Sequence, residues 1–590
     1  MSFAAAFLAL ACATAQAQPA VPPAPVTPVN PAPPSLSIAP HILSPGDVAL
    51  YRQIMTAERA GRRTQASALA AQLSDPVLLP YAQALRFLSG SGNAADLADW
   101  LRENRETAIA DRVYRQAVRL NTRTVRRGKK RIKVAVVTNI PAPAGVGSRT
   151  GGYEDQEQPE PTPFSDAGKQ VMPSIFTAIR AGQPDQARAL MDGARAALPP
   201  VDVAILTHRI AASYRAESRD ADAYALAITV SDPAVPQLLW DAGFAAYRMG
   251  HWPEAIRLLE KLAETPTAQN NLRAQGALWA ARAHMQAGDP HKVVTLLDFA
   301  AGKQPSFYGI LAERILGMDT QTGFADAILN QGDFNDLMAV PAARRAVALW
   351  QIGENEFVGP ELNRAFVNNN ERLDPAMAAL ARGIGVPNVE LRAAEKSAAR
   401  GIVLTSLFPV PPYSPDGGYR IDSSLVLAFA RIESRFQVSA TSPVGARGLM
   451  QIMPGTARHL GVNPDSLSNP SASLAAGQRY IEMLLNQLDG SLLELGGAYN
   501  AGPGAVSRWR STKAGGDDPL LFVESIPVAE TRSYVKRLML YHWHYRRRFG
   551  QEARSLEEAA RGQWPVYRLG ATAVSAPLAG ASGLRASADR

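Results

Sequence analysis

Apolar residues recur at helical spacing along two long stretches of the chain. The first runs from about residue 47 to 122 and the second from about 171 to 404, and both are rich in Ala and Leu. Gly and Pro occur there mainly as punctuation between apolar runs, which is typical of helices joined by short turns. The pattern predicts an all-α body over 41–404.

The second stretch contains a weak repeat. Gly182-Gln-Pro184 and Gly288-Asp-Pro290 each precede an amphipathic segment, and Gly250-His-Trp-Pro253 is a looser third copy. The copies are spaced at near multiples of a tetratricopeptide-like period, and helix pairs of this kind stack into a superhelix because they cannot bury their apolar faces alone. The aromatic residues of this stretch are expected to pack between helices rather than bind sugars: Trp240, Tyr247, Trp252 and Trp279.

Changes in composition mark the remaining boundaries. A basic run followed by residues rich in Gly, Pro and acidic side chains predicts a flexible insertion over 123–168. A Pro- and Gly-rich segment at 404–419 separates the body from a motif-dense domain over 405–550. The last residues, 551–590, are rich in Ala, Gly and Ser, and we expect this extension to be partly disordered.

The N-terminus predicts export. Residues 1–17 combine an apolar run with the small-x-small cleavage site Ala15-Gln16-Ala17, and a Pro/Ala-rich linker follows over 18–40. The apolar run is too short to span a bilayer, and no later segment predicts a membrane span. The expected location is the periplasm. Cys12, the only cysteine, lies inside the signal, so an outer-membrane lipoprotein acylated there is the alternative.

Composition and charge narrow the classes of partner. Hydrophobic residues make up 46% of the chain and charged residues 19%, as in an ordinary globular protein. The net charge of +8 suits a polyanion, and export argues against nucleic acid. We predict no cofactor and no metal: the histidines are scattered, and His542 and His544 point to different sides of a predicted helix.

Glu433 is the candidate catalytic residue. The segment from Ile421 to Phe436 predicts a buried helix, because its apolar residues run almost continuously after a capping residue among Asp422, Ser423 and Ser424. Glu433 lies at the end of that run, where partial burial raises the pKa of a carboxyl group toward the value a glycosidic general acid needs. By itself, a Glu beside two arginines is more often a surface ion pair.

Three later blocks carry the rest of the chemistry. They are Ser442-Pro-Val-Gly445-Ala-Arg-Gly448-Leu-Met-Gln451-Ile-Met453-Pro, Gly497-Ala-Tyr499-Asn500-Ala-Gly-Pro-Gly504, and Glu524-Ser-Ile-Pro-Val-Ala-Glu530-Thr-Arg-Ser-Tyr534-Val535. The two glycines of the first block allow close backbone approach. We expect Leu449 and Met450 to be core residues, whereas Met453 fits either core or groove.

Together with Glu433, these blocks resemble the catalytic domain of the soluble lytic transglycosylases, whose fold is similar to goose-type lysozyme. The resemblance covers about residues 422–545, and the helical body ahead of it is similar to the ring-shaped architecture of the large members. It implies a superhelical body followed by a lysozyme-like, mainly α domain. It also implies the catalytic acid/base Glu433 and a set of substrate-groove residues: Ser442, Gln451, Met453, Tyr499, Asn500 and Glu530.

The resemblance implies a lyase rather than a hydrolase. Glu433 would protonate the glycosidic oxygen between N-acetylmuramic acid and N-acetylglucosamine in peptidoglycan, and then accept the proton of the C6 hydroxyl as a 1,6-anhydro ring closes. Tyr499 would hydrogen-bond near the scissile sugar, and Glu530 would line the groove. Glu524 is the alternative to Glu530 for the groove role, and an ion pair with Arg532 is the non-functional interpretation of Glu524. Two other functions stay open: a lysozyme-like hydrolase, and a non-catalytic scaffold for other cell-wall enzymes.

Overall fold

The computed structural model of the chain describes residues 38–127, 130–135, 139–144, 165–302, 306–318, 324–366, 370–511 and 516–568. The predicted signal peptide at 1–17 lies outside these residues, and so do most of the linker at 18–40 and the end of the chain after 568.

The body begins with helices that pack in sequence order. Their bounds are α1 (Pro45–Arg59), α2 (Arg63–Ala70), α3 (Leu79–Leu88), α4 (Ala94–Asn104) and α5 (Ala110–Leu120). Local capping explains several starts. The Ser44 hydroxyl accepts from the Asp47 amide, and Asn93 and Asp96 form a reciprocal capping box at α4.

An antiparallel hairpin follows where a flexible insertion was expected. Strand β1 (Thr122–Arg127) pairs with β2 (Lys130–Ala135), and Thr122 lies opposite Ala135. This part of the predicted flexible insertion over 123–168 thus forms a hairpin, the insertion itself stays a prediction, and 145–164 lies outside the described residues. The basic run also contains β-branched Thr, Val and Ile, whose strand preference the charge-based interpretation did not weigh. Apart from this hairpin, the expectation of a helical fold is confirmed.

A superhelical run of paired helices makes up the rest of the body. Their bounds are α6 (Asp166–Arg180), α7 (Pro184–Ala194), α8 (Pro200–Ala216), α9 (Asp220–Ala227), α10 (Gln237–Arg248), α11 (Trp252–Glu264), α12 (Asn270–Gln286), α13 (Val293–Ala301), α14 (Phe307–Ile315), α15 (Gln331–Met338), α16 (Pro341–Ile352), α17 (Asn355–Ala365), α18 (Asp374–Gly383) and α19 (Pro387–Ala398). Neighbours in sequence pack against each other from α10 to α14.

The three repeat segments form the turns that the sequence predicts. Gly182, Gly250 and Gly288 have φ angles of 67°, 75° and 72°, so each supplies the left-handed residue that ends a helix. A proline then lies at the start of the next helical segment, where its missing N–H costs nothing. The third copy differs in starting with a short 3₁₀ turn, Pro290–Lys292.

The aromatic residues of the repeats fill the space between helices. The Trp279 ring contacts Trp240 at 6.2 Å and Tyr247 at 4.9 Å between centroids, and Tyr247 also contacts Trp252. Trp279 is fully buried. The prediction that these rings belong to the core rather than to a sugar platform is confirmed.

The C-terminal domain continues from the body after residue 404. Its helices are α20 (Ser423–Ser434), α21 (Pro454–His459), α22 (Pro470–Gln487), α23 (Leu492–Ala501), α24 (Pro503–Ser511), α25 (Pro519–Ser525), α26 (Ala529–Arg548) and α27 (Arg554–Ala560). Helix α26 packs against α20 and α23, which places it at the centre of the domain. Asp422 precedes α20 but its carboxylate pairs with Arg546 instead of capping the helix.

The domain extends beyond the predicted limit of residue 550. Helix α27 packs on α14, the Trp543 indole donates to Ser555 Oγ at 3.0 Å, and the Tyr567 amide donates to the Gly490 carbonyl at 2.7 Å. Residues 551–568 are thus part of the folded domain, whereas the expectation of partial disorder within 551–590 stays a prediction for the residues after 568. Their Ala-rich composition also occurs in short packed helices, which composition alone does not separate from disorder.

The N-terminal helices return to pack on α16 and α17. Glu361, which is fully buried, accepts hydrogen bonds from the Tyr81 hydroxyl at 2.6 Å and the Ala108 amide at 2.9 Å, and it pairs with Arg345. The Gln351 side chain accepts from the amides of Ile42 and Leu43. The first and last parts of the body therefore share one interface.

None of the helices in the described part of the chain is both long and apolar enough to cross a bilayer.

Candidate active site

Glu433 lies in the last turn of α20, directly before an unusual backbone turn. Arg435 and Phe436 have φ angles of 51° and 61°, in the left-handed region that non-glycine residues occupy at a cost of about 1–3 kcal/mol each. Phe436 is buried, and the Arg435 guanidinium pairs with the buried carboxylate of Glu395 on α19. Contacts from both the body and the domain thus hold the backbone next to Glu433.

The Glu433 carboxyl group is partly buried and is held by one tyrosine. The Tyr534 hydroxyl donates to Glu433 Oε1 at 2.6 Å. The pKa of Glu433 is raised to about 7, chiefly by burial and in smaller part by the charge of Glu530, against the Tyr534 hydrogen bond and the charge of Arg537, which lower it. A carboxyl group with this pKa can occur in both protonation states near neutral pH, as expected for a group that donates and later accepts a proton.

Aromatic rings form the wall beside Glu433. Tyr499 and Tyr534 stack at 6.5 Å between centroids, Phe429 contacts Tyr499 at 4.4 Å, and Tyr480 contacts Tyr499 at 5.1 Å. Burial and the nearby Glu433 charge raise the pKa of both Tyr499 and Tyr534 well above the usual value, so both hydroxyls stay protonated. These rings supply the low-polarity surroundings that favour a neutral carboxyl group.

The Tyr499 hydroxyl donates to the main-chain carbonyl of Met450 at 2.8 Å. The Tyr499 hydroxyl, which we expected to hydrogen-bond near a sugar, therefore already donates its proton to the main chain of the protein. This contact ties α23 to the loop that contains Ser442, Gln451 and Met453. Tyr499 thus positions that loop relative to Glu433.

The loop is built around a tight turn and a strained glutamine. The Ser442 hydroxyl accepts from the Ala446 amide at 2.9 Å, and Gln451, with φ 45°, donates through Nε2 to the carbonyls of Ala440 at 3.2 Å and Gly448 at 2.8 Å. Ser442 and Gln451 therefore stabilise the loop from within. Met453 follows it with 42% of its surface exposed, which favours the groove interpretation, whereas Leu449 and Met450 are fully buried as predicted.

Gly448 is required by close packing. A Cβ atom there would overlap the Leu467 carbonyl and the Ser473 hydroxyl, and its φ of 75° also favours glycine. Gly445 has open space around it, so its φ of 91° alone accounts for glycine at that position. The predicted close approach is confirmed for Gly448 only.

Asn500 and Glu530 lie on either side of the contact between α23 and α26. The Thr531 hydroxyl donates to Asn500 Oδ1 at 2.6 Å, which fixes the end of α23 against the first turn of α26. Glu530 is exposed in that same turn, and its charge reaches Glu433. The structure thus brings Glu433, Tyr499, Asn500 and Glu530 into one region.

Comparison with known proteins agrees with this geometry. Residues 415–521 match the family model described as Transglycosylase SLT domain. The C-terminal part of the chain is thus similar to this family. The soluble lytic murein transglycosylase of Salmonella typhimurium is 41% identical over 143 residues, which is 23% of this chain and 22% of that protein. The chain thus aligns with about a fifth of the length of this relative.

Two solved structures share the fold of most of the chain. One is the 70 kDa soluble lytic transglycosylase of Escherichia coli, with a TM-score of 0.54 and 19% identity over 88% of this chain and 99% of that one. The other is an inactive mutant of the lytic transglycosylase Slt from Pseudomonas aeruginosa, with a TM-score of 0.52 and 22% identity over 85% and 73%. The likeness to both structures is one of fold.

Glu524 does not belong to the groove of the SLT domain. It is buried at the contact with the body, where it accepts a hydrogen bond from the Tyr308 hydroxyl and one from Gln275 Nε2 at 3.1 Å. Lys536 lies 3.3 Å away and Arg532 4.0 Å away. The alternative groove role is therefore wrong, and the ion pair with Arg532 is one part of a larger network between α25, α26 and the body.

Sequence analysis missed Tyr534, the direct partner of Glu433 in the SLT domain. A signal was present, because Tyr534 follows Glu530 by four positions on a predicted helix and must therefore lie on the same face. Arg537, whose charge lowers the pKa of Glu433, follows Tyr534 by three positions and extends that face.

Proposed function

We propose that the protein is a peptidoglycan lytic transglycosylase with Glu433 as its single acid/base. The observation that carries this proposal is the Glu433 carboxyl group itself, buried among aromatic rings, held by Tyr534, and with a pKa of about 7. The SLT-domain match and the two structural neighbours support the same activity.

The reaction begins with proton transfer. Protonated Glu433 donates its proton to the glycosidic oxygen between N-acetylmuramic acid and N-acetylglucosamine, and the bond from that oxygen to C1 breaks. The 2-acetamido group of the substrate stabilises the positive charge that develops at C1. The Tyr534 hydroxyl then stabilises the Glu433 carboxylate, because a charge-assisted hydrogen bond is stronger than a neutral one.

The second half returns the proton. The Glu433 carboxylate accepts the proton of the C6 hydroxyl. At the same time the C6 oxygen bonds to C1 and closes the 1,6-anhydro ring. No water is consumed, and Glu433 ends protonated as it began. One carboxyl group suffices, whereas ordinary glycosidases need a pair.

We also propose the periplasm as the location, with other cell-wall enzymes as candidate partners.

A lysozyme-like hydrolase is the second candidate, and Glu530 favours it. This exposed carboxylate acts electrostatically on Glu433. It is therefore a second carboxylate in the same region, where it could activate a water molecule as in a hydrolase. The product distinguishes the two functions: an anhydro end for the lyase and a reducing end for the hydrolase.

The deciding experiment is mass spectrometry of purified peptidoglycan after digestion by the protein and its variants. We expect anhydro muropeptides from the wild type, and a rate reduced about 10²–10⁴-fold in Glu433→Gln because the acid/base is lost. Glu552→Gln, an exposed glutamate of the same domain, is the matched control and should retain activity.

Each other outcome is informative. Products heavier by one water that disappear in Glu530→Gln would establish the hydrolase. Unchanged activity in Glu433→Gln contradicts the assignment of the acid/base. If none of the proteins gives products, the scaffold function becomes the better proposal.

A further inference from the structure

A histidine and carboxylate cluster lies far from Glu433 in sequence, at the third repeat turn of the body. Among the residues that the structure describes, His284, Asp289 and His291 offer ligand atoms that all lie within 4.8 Å of one another. His284 is buried on α12, while Asp289 and His291 are exposed in the turn before α13. Sequence analysis predicted no metal site, because it treated the histidines as scattered.

The two ring nitrogens of His284 face different partners. Nε2 lies 2.8 Å from Glu260 Oε1 on α11, whereas Nδ1 lies 3.1 Å from the Asp289 carbonyl oxygen and 3.6 Å from Asp289 Oδ2. In the neutral ring only one nitrogen carries a proton. If Nε2 donates to Glu260, then the Nδ1 lone pair faces two oxygen atoms. That arrangement is repulsive unless a proton or a cation lies between them.

This geometry is that of a metal-binding histidine. Such histidines usually donate the N–H of the other nitrogen to a carboxylate, which fixes the ring and increases the basicity of the ligand nitrogen. The 3.6 Å separation of His284 Nδ1 and Asp289 Oδ2 also fits neighbouring ligands of one ion with bonds of about 2.0–2.2 Å. His291 Nδ1 pairs with Oδ1, the other oxygen of the Asp289 carboxylate, so a second imidazole lies beside the same carboxylate.

The charge balance also fits a divalent cation. Lys292 lies 3.0 Å from both oxygens of Glu260 and neutralises that carboxylate. The Asp289 carboxylate then remains as the negative charge beside two imidazoles. Imidazole with one carboxylate suits first-row transition ions better than magnesium or calcium, which prefer oxygen ligands.

We propose that His284, Asp289 and His291 bind one divalent transition-metal ion of the zinc class. The ion fastens the turn between α12 and α13, and Glu260 orients His284 from the adjacent helix α11. The site is separate from the proposed activity of the SLT domain, because its residues lie on the body. Its expected effect is a more stable body, since a ligand that binds the folded state raises the unfolding temperature.

Titration calorimetry with Zn²⁺ tests the proposal on tag-free, chelator-treated full-length protein at neutral pH. We expect one saturable site, a melting temperature that rises with Zn²⁺, and no binding of Ca²⁺. Co²⁺ serves as a spectroscopic probe, since its visible absorption reports coordination by nitrogen and oxygen. His291→Ala and Asp289→Asn should each weaken Zn²⁺ binding at least 10-fold, and Glu260→Gln about 10–100-fold.

His251→Ala is the matched control. His251 is exposed in the corresponding turn of the preceding repeat, so its removal should leave Zn²⁺ binding unchanged. Circular dichroism of each variant shows whether the helices are retained. Absence of saturable binding to the wild type, or equal binding by wild type, His291→Ala and Asp289→Asn, overturns the proposal.

Discussion

At the scale of single residues, the properties of Glu433 depend on a few neighbours with opposite effects. Burial among Phe429, Tyr499 and Tyr534 favours the neutral carboxyl group, whereas the Tyr534 hydrogen bond favours the carboxylate. These opposing effects leave the pKa of Glu433 at about 7, where one group serves as both acid and base.

The first prediction concerns pH. Since the acid form of Glu433 starts the reaction, kcat/KM should fall as pH rises through about 7. Tyr534→Phe removes a hydrogen bond that lowers the pKa of Glu433, so the alkaline limb should move upward by about 1–2 pH units, with a lower maximal rate. The measurement is a pH profile of muropeptide release.

Tyr480→Phe is the control for this variant. Tyr480 contacts the ring of Tyr499, whereas Tyr534 is the tyrosine that donates to Glu433. We expect the alkaline limb of the pH profile of Tyr480→Phe to stay where it is in the wild type. If the limb does not move in Tyr534→Phe either, then the hydrogen bond does not set the acidity of Glu433 in the working enzyme.

The residue predictions differ in how far they could be made from sequence. Partial burial of Glu433 and its raised pKa were predicted from its place at the end of an apolar helix, and the structure confirms both. The partners of Tyr499 and Gln451 were not predictable, since each donates to a main-chain carbonyl whose position depends on the folded loop. The substrate-binding roles of Ser442, Gln451, Met453, Tyr499, Asn500 and Glu530 stay predictions.

At the scale of elements, α26 connects the candidate active site to the rest of the molecule. Thr531, Tyr534 and Lys536 contact Asn500, Glu433 and Tyr308 respectively, so one helix touches the groove, the acid and the body. Farther along, His542 and His544 are buried in its second half. The helix is therefore rigidly packed over most of its length.

The buried histidines predict acid sensitivity. Burial lowers the pKa of His542 to about 3 and that of His544 well below its usual value. In the unfolded chain both rings take up protons below about 6.5, whereas the folded chain resists protonation. The contribution of His542 to stability is therefore complete above that pH and should fall between about 6.5 and 3 by up to roughly 1.4 kcal/mol per pH unit, and the buried His544 acts in the same direction.

His544→Phe tests this prediction. Its ring stacks on Phe408 at 4.7 Å, and phenylalanine can keep that contact without binding a proton. The dependence of the melting temperature on pH should become shallower in this variant. The exposed His459→Phe should leave that dependence unchanged. An equal slope in wild type and His544→Phe would show that other groups dominate acid unfolding.

A further prediction at this scale concerns the segment after α26. A chain that ends at Gly550 loses the Trp543–Ser555 hydrogen bond, the Tyr567 hydroxyl that accepts from the Asp422 amide, and the buried Leu556. We expect a lower melting temperature of the C-terminal domain and reduced activity. A chain that ends at Arg568 keeps these contacts and should behave like the full chain.

Elements were the most predictable level of this protein. Helices over 47–122 and 171–404 follow from apolar spacing, and the repeat turns follow from Gly and Pro, which act locally. The hairpin at 122–135 and the helix at 554–560 were missed. In both cases composition suggested a loop, whereas pairing or packing with another part of the chain stabilises a regular structure.

At the scale of the whole molecule, buried polar networks join distant parts of the chain. Glu361 links the N-terminal helices to α17, and Glu524 links the SLT domain to α12 and α14. A buried carboxylate with several partners tolerates little displacement, because each lost partner leaves a costly unpaired group.

Glu361→Ala should therefore loosen the N-terminal helices. Removing this carboxylate leaves Arg345, the Tyr81 hydroxyl and the Ala108 amide without their acceptor, at a cost of about 3–5 kcal/mol. We expect faster limited proteolysis within residues 38–120 and unchanged cleavage of short soluble glycans. Glu356 lies on the same helix as Glu361 and forms an exposed ion pair with Arg112. Glu356→Ala is the control and should change little. Equal proteolysis of both variants contradicts a central role for Glu361.

The sequence by itself determined the helical character of the chain, the repeat turns and the helix that carries Glu433, because these depend on short-range spacing. Only the tertiary structure decided which side chains meet. Tyr534 reaches Glu433 across 101 positions, Glu524 is buried against the body instead of lining the groove, and His284 meets Asp289 and His291. Such contacts depend on how helices pack, and a periodic pattern records only which face of each helix is buried.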